Sequence, residues 1–204
     1  MHNVDQLWLV LYHQLRRLAV DARIEVRHSS LRSLFTTLET HSLVLEQASW
    51  TPVVHELLLP VLDDVCDCAS ASSSDEPVEK ALGPAAGAGV GTEQGKAGQQ
   101  MMLIHHSRNT QSKQWDATWE TAVQGVVRIF QTGFKLWASL SSAQEAWAAL
   151  MRHLEQAVLH GSHKVALAAI HAIRCMEIRV KTNLTMTRLA LAAIHATRLD
   201  FRHR

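Results

Sequence analysis

The sequence predicts an all-α fold, a HEAT/armadillo-like right-handed helical solenoid of antiparallel helix pairs interrupted by a disordered loop. Three observations predict it. Apolar residues recur at spacings of three and four along most of the chain, the period of one helix face. The stretch Val20-Asp21-Ala22-Arg23-Ile24-Glu25-Val26-Arg27 interrupts that period and reads as the turn of a helical hairpin. An Asp-x-Arg-x-x-Val-Arg turn between two amphipathic helices is the mark of a HEAT-type repeat. A second hairpin follows near the end, 143–160 and 163–180 joined by Gly161-Ser162.

The first helix carries Val4, Leu7, Trp8, Leu11, Leu15 and Leu18 on one face. In the turn, Asp21 suits a cap that accepts backbone N–H bonds. Val26 starts the next buried stripe, and Arg23 and Arg27 stay solvated one turn apart. Leu31, Leu34, Phe35 and Leu38 continue the second helix. A third begins at Ser49-Trp50-Thr51-Pro52, with Ser49 as cap and Pro52 in the first turn, and Pro60 bends it by removing an internal hydrogen bond. Residues 1–66 thus form the first block of HEAT-like helices.

From 67 to 99 the composition turns to Ser, Ala, Gly and acidic residues, which present no packing face, and the segment reads as a disordered insertion. Its Gly-Ala-Gly-Val-Gly run lacks the Gly-Lys-Ser/Thr ending of a phosphate loop. Residues 100–180 continue the solenoid. A long helix is expected from about Thr110 to Leu140, with Gly125 and Gly133 allowing close approach or a bend. Gly161 is placed to end its helix in a left-handed conformation. The tail, 181–204, is helical in pattern. It contains a near-duplication: Ala190–Arg198 reads ALAAIHATR against ALAAIHAIR at Ala166–Arg174. A terminal helix that packs like its predecessor and a chance duplication both fit.

Composition excludes several function classes. Hydrophobic residues at 47% support a globular core, and a net charge of +1 gives no global field to recruit nucleic acid or an anionic membrane. No run of about 20 apolar residues could span a bilayer, and the start lacks a secretory h-region. Cys66, Cys68 and Cys175 show neither a disulfide framework nor zinc-ribbon spacing. Asn183-Leu184-Thr185 matches the glycosylation pattern without a secretory context.

Chemistry-bearing clusters are few. His55-Glu56 lacks the second histidine of a His-Glu-x-x-His site, so a solvated helix edge is the plainer reading. Cys66 and Cys68 beside Asp63, Asp64 and Asp67 could bind a soft metal, but further ligands at organised spacing are missing. His153, His160 and His163 flank one turn and read as helix-end histidines. Without a nucleophile elbow or an activated thiol, the chain reads as non-enzymatic, with no metal and no cofactor. The six tryptophans, Trp8, Trp50, Trp115, Trp119, Trp137 and Trp147, read as core and inter-repeat packing.

The most distinctive run is His105-His106-Ser107-Arg108-Asn109-Thr110, with Lys113, Gln114 and Trp115 following. Ser107 or Asn109 could cap the helix it enters, which would make the motif structural. A dense set of donors beside a long loop also suits a partner-binding edge.

That run, together with Leu7-Trp8-Leu9, the Val20–Arg27 turn and Leu34-Phe35, resembles the C-terminal HEAT region of the Mon (monensin-sensitivity) scaffolds. These are related to the large Arf guanine-nucleotide exchange factors. The resemblance runs from about Leu7 to Val180 outside the insertion. It implies a scaffold or adaptor in Golgi–endosome vesicle-mediated protein transport, cytoplasmic and peripheral at the trans-Golgi network and endosomes, with Dopey-type proteins as partners. The family lacks the catalytic exchange domain of its relatives. A fragment or short form of a larger Mon-type protein is expected. Alternatives are a regulatory accessory element for nucleotide exchange on Arf-type GTPases and a generic HEAT-type binding module outside trafficking.

Overall fold

The first turn of the computed structural model, which describes residues 3–42, 44–74 and 110–182, forms where the sequence puts it. Helix α1 (Asn3–Leu18) closes as the Ala19 N–H donates to the carbonyls of Leu15 and Arg16, both at 3.0 Å. Helix α2 (Ile24–His41) starts after Arg23. The faces differ from the expected ones. On α1 the buried residues are Asp5 and Tyr12, followed by Ala19 just past its end, with Trp8 and Leu15 partly covered, while Val4, Leu7, Leu11 and Leu18 are exposed. The helix is apolar on two sides, so periodicity alone does not pick the inner one. On α2, Val26 is only half-buried and Arg27 is buried, the reverse of expectation.

Asp5 is buried because it works at a distance: its Oδ2 accepts from the Glu46 N–H at 3.1 Å and from the Ser49 hydroxyl. It thereby supplies the cap for α3 (Gln47–Pro52), which begins before Ser49, at Gln47. A π-helical turn (Val53–Leu58) joins α3 to α4 (Leu59–Ser74). Its cause is chemical. Pro60 has no N–H to give the Glu56 carbonyl four residues back. The Leu59 N–H reaches five residues back to Val54, and the Glu56 carbonyl accepts from Arg16 Nη1 at 3.0 Å. The predicted bend is thus a widened turn, stitched to α1.

Helix α4 runs through Ser74, into the stretch expected to begin the insertion at 67. Ala69 and Ser72 are buried there, and the Ser72 and Ser73 hydroxyls both donate to the Ala69 carbonyl. Small side chains let the helix lie close to its neighbours without an apolar stripe to announce it. The remainder of the insertion, 75–99, lies outside the described residues, as does the tail beyond 182.

The expected helix from 110 to 140 divides into α5 (Gln111–Thr132) and α6 (Phe134–Ala138) at Gly133. Helices α7 (Ala143–His160) and α8 (His163–Thr182) complete the fold. Gly161 does not adopt a left-handed conformation; φ is −76° and ψ 161°. The reason for glycine is space, since a Cβ would sit 2.4 Å from the Ala157 carbonyl oxygen and 2.6 Å from a Val165 methyl.

Side-chain pairings reveal two layers. In one, α2, α5 and α8 lie side by side and parallel: Arg27 meets Thr118, Glu39 meets Arg128, and Arg179 reaches the Gln131 carbonyl. In the other, α1, α3–α4 and α7 repeat the arrangement. Asp5 meets Ser49 and Arg16 meets Asp64 at 2.7 Å; His55 then meets Ser142 at the start of α7, and Asp63 meets His153. Helices of one layer run against those of the other, as in a solenoid of stacked pairs. The described residues are helical, with no strand among them.

The core runs between the layers. Trp50 is wholly buried, Trp115, Trp119, Trp137 and Trp147 are buried, and Trp8 is half-buried. Phe130 holds an aromatic cluster together, with ring centroids 5.4 Å from Phe134, 4.9 Å from Trp137 and 5.3 Å from Trp147. The first two are edge-to-face, and such contacts add about 0.5–1.5 kcal/mol each beyond area burial.

Candidate functional site

The two most distinctive motifs of the sequence meet in space. Asp21 turns the chain by accepting from the Arg23 N–H at 2.9 Å, and its carboxylate also takes the Arg23 guanidinium at 2.9 and 3.1 Å. This is a local turn bond rather than the expected cap, because no side chain caps α2. The Arg23 hydrogen bonds hold the Asp21 carboxyl well down, to about 2.

The turn so formed aims its carbonyls at Arg27. Arg27 Nη1 donates to the Asp21 carbonyl at 2.8 Å and the Ala22 carbonyl at 3.0 Å. Its Nε donates to Thr118 Oγ1 at 3.0 Å, and its guanidinium lies 4.0 Å from the centre of the Trp115 ring. The Thr118 hydroxyl in turn donates to the Gln114 carbonyl. One side chain therefore ties the α1–α2 turn to the first turns of α5, and it is only 1% exposed. Sequence reasoning placed Arg27 in solvent. The signal that could have corrected it is the Trp115-x-x-Thr118 pair, an aromatic face and a hydroxyl one turn apart.

The other members of the run are placed in part. Thr110 caps α5, its hydroxyl accepting from the Lys113 N–H at 3.3 Å, so the cap falls to Thr110 and not to Ser107 or Asn109. Lys113 is exposed and Gln114 half-exposed, whereas Trp115 is given over to the joint. His105, His106, Ser107, Arg108 and Asn109 lie outside the described residues.

The histidines and thiols have local roles. His55 Nε2 lies 2.8 Å from the Ser142 hydroxyl, and His153, half-buried in mid-helix, is 3.6 Å from Asp63. Burial pushes the Cys66 and Cys68 thiols up, which keeps them protonated. Among the described residues no three His, Cys, Asp or Glu side chains converge as a metal site. No helix among them is long and apolar enough to cross a membrane. A groove of about 670 Å³ between α5 and α8 is lined by Glu120, Gln124 and Arg128 on one side and Lys164, Leu167 and His171 on the other.

Two partly buried imidazoles predict a pH dependence. Burial lowers the pKa of His28, aided by Arg27 and Arg32, and burial lowers that of His153 despite Asp63. Near pH 6.5 each is less protonated in the fold than in the unfolded chain. Their contribution is present above about pH 6.5 and is lost as pH falls through the lowered folded values. Urea midpoints should fall between about pH 7 and 5, and the H28Q/H153Q variant should show a shallower fall. An unchanged slope in that variant would place the proton uptake elsewhere.

The family described as the C-terminal region of Mon2 protein matches residues 1–191. Protein MON2 homolog of Xenopus laevis is 35% identical over 170 residues, covering 83% of this chain and 9% of the relative. The Drosophila melanogaster homolog is 34% identical over 174 residues, 85% of this chain and 9% of its own length. Brefeldin A-inhibited guanine nucleotide-exchange protein 2 of Arabidopsis thaliana is 32% identical over 79 residues, 39% of this chain and 4% of the relative. The chain thus spans about a tenth of the length of the MON2 homologs it matches. No solved structure matches.

Proposed function

The chain belongs to the family of the C-terminal region of Mon2 protein, and from that premise we propose a non-enzymatic scaffold or adaptor in Golgi–endosome vesicle-mediated transport. One observation carries the reading: residues that bear the family resemblance, Asp21, Arg27 and Trp115, are used to fix two helix pairs against each other. Their chemistry is cohesion and no reaction centre is built from them, so the work falls to surfaces held in register. Protein partners, Dopey-type trafficking proteins among them, would bring the chain to the trans-Golgi network and endosomes as a peripheral component. The edge around Arg108, Lys113 and Gln114 is the proposed contact.

Proximity labelling by the full chain in its native cells tests this. Golgi and endosome trafficking proteins should be labelled, with labelling reduced in R108E at unchanged melting temperature. Labelling of chaperones alone, or a melting temperature lowered by R108E, would count against the scaffold and its edge respectively. The similarity to the Arabidopsis exchange protein favours a second reading, an accessory element in nucleotide exchange on Arf-type GTPases. Nucleotide release from such a GTPase should then change on adding the chain, and no effect at saturation removes that reading.

A further inference from the structure

Helix α1 is apolar on two sides and uses one. Asp5 and Arg16, which reach Ser49 and Asp64, lie on the side turned to α3 and α4. On the opposite side Val4, Leu7, Leu11 and Leu18 are between 42% and 69% exposed. With Gln14, also exposed, they occupy positions 4, 7, 11, 14 and 18, alternating steps of three and four. That is the 3.5-residue seam one helix presents to another, narrower than the arc of a helix that faces a core. The seam is about 21 Å long.

We propose that this seam pairs with that of a second copy of the chain, the two α1 helices packing antiparallel about a two-fold axis at Leu11. Charge selects the occupant. Of the residues flanking the seam, Gln6, Trp8, Val10 and Leu15 are neutral and only Arg17 is charged. An anionic lipid surface is recognised by several basic residues beside an apolar row, and a charged peptide by a charged rim. A seam with a nearly neutral rim fits a copy of itself, as a two-fold interface requires.

The register follows from the same residues. With the axis at Leu11, Leu18 of one copy meets Val4 of the other, and Leu11 meets itself. The two Arg17 residues then stand about 18 Å apart along the helices, beyond the screening length, whereas a parallel pair would set them side by side. Gln14, the one polar member of the seam, brings its own partner, since its Oε1 accepts from Arg17 Nη1 at 3.3 Å. With Val10, also exposed, the aliphatics make a patch on the order of 400 Å² per copy. Two patches and their rims reach the low end of specific interfaces, about 1,000–1,200 Å² in total. The dimer should therefore form at micromolar concentration and come apart on dilution.

Sedimentation velocity of the full chain over about 1–100 μM tests the pairing. The sedimenting mass should rise from 22.7 kDa toward twice that value as concentration increases. L7E/L11E, at exposed positions, should stay monomeric throughout that range with an unchanged melting temperature. L167E/I170E, on the exposed face of α8, should dimerise like the unsubstituted chain. Disulfide trapping reads the direction: under mild oxidation Val4→Cys mixed with Leu18→Cys should crosslink between copies at least about tenfold faster than Val4→Cys alone, with the bridge located by mass spectrometry. A monomer at every concentration overturns the proposal, including one that floats with phosphatidylserine vesicles through Leu7 and Leu11, which would mean a membrane surface. So does a dimer that survives L7E/L11E, or one lost only in L167E/I170E. Faster crosslinking of Val4→Cys to itself would mean a parallel pair and overturns it as well.

Discussion

Replacing Arg27 with alanine should lower the free energy of unfolding by about 3–5 kcal/mol, a third or more of what a domain of this size ordinarily has. The figure follows from what the guanidinium leaves behind. Two part-buried turn carbonyls, of Asp21 and Ala22, and the fully buried Thr118 hydroxyl lose their donor. Each orphaned acceptor costs about 1–3 kcal/mol. The Trp115 face loses its cation as well, worth about 1–2 kcal/mol when desolvated. Arg27→Lys should recover less than half, because an ammonium cannot fork between the turn and Thr118 while stacking on a ring. Guanidinium chloride unfolding followed by tryptophan emission measures all three proteins. In a double-mutant cycle, Arg27→Ala and Trp115→Ala should couple by about 1–2 kcal/mol. A loss under about 1 kcal/mol for Arg27→Ala would mean that the joint does not hold the layers together.

Arg27 also marks where sequence reasoning stops. The hairpins α1–α2 and α7–α8 were legible because their signals are local: a broken apolar period, Asp21 in the turn, Gly161 at the helix end. The burial of Arg27 is non-local. Its partner Thr118 lies on another helix pair, and a charged residue at the edge of an apolar stripe reads as solvated until that pair is docked. The same holds for Asp5, whose burial depends on Glu46 and Ser49. Leu7 and Leu11 show the converse error. They obey the helical period as well as Tyr12 does, yet it is Tyr12 that is covered, by Trp8 and His41. The run from Ala69 to Ser74 was read as structureless because Ala and Ser carry no pattern, although small residues are what a tightly packed helix end uses. Of the candidate site, Trp115 was legible as a packing aromatic, whereas the cap was given to Ser107 or Asn109 and falls to Thr110. The purpose of Trp115 needed the fold.

Gly125→Ala should destabilise the protein by about 2–3 kcal/mol, although the same change in an exposed helix interior stabilises by about 1 kcal/mol. The sign reverses because of Phe35. A Cβ built on Gly125 would lie 2.1 Å from two carbons of the Phe35 ring and 2.6 Å from a third. That ring is 1% exposed and has no open space into which to swing. The helices α2 and α5 must therefore separate or the ring must leave its rotamer, and either change is felt along the whole parallel ladder. Arg27–Thr118 at one end and Glu39–Arg128 at the other are set by the same interhelical distance. The cause can be isolated. Phe35→Ala alone should cost about 3–5 kcal/mol through the cavity it opens. In the Gly125→Ala/Phe35→Ala double variant the new methyl no longer meets a ring, so the combined loss should fall short of the sum by about 1–3 kcal/mol. Simple additivity would show that the methyl is accommodated without touching Phe35, and the close approach of α2 to α5 would then not depend on glycine. A favourable coupling, with the Arg27 joint weakened in Gly125→Ala and restored in the double variant, would mean that one interhelical spacing governs both contacts. A scaffold whose work is done by its surfaces needs that spacing to be fixed by the core, and here a missing side chain sets it.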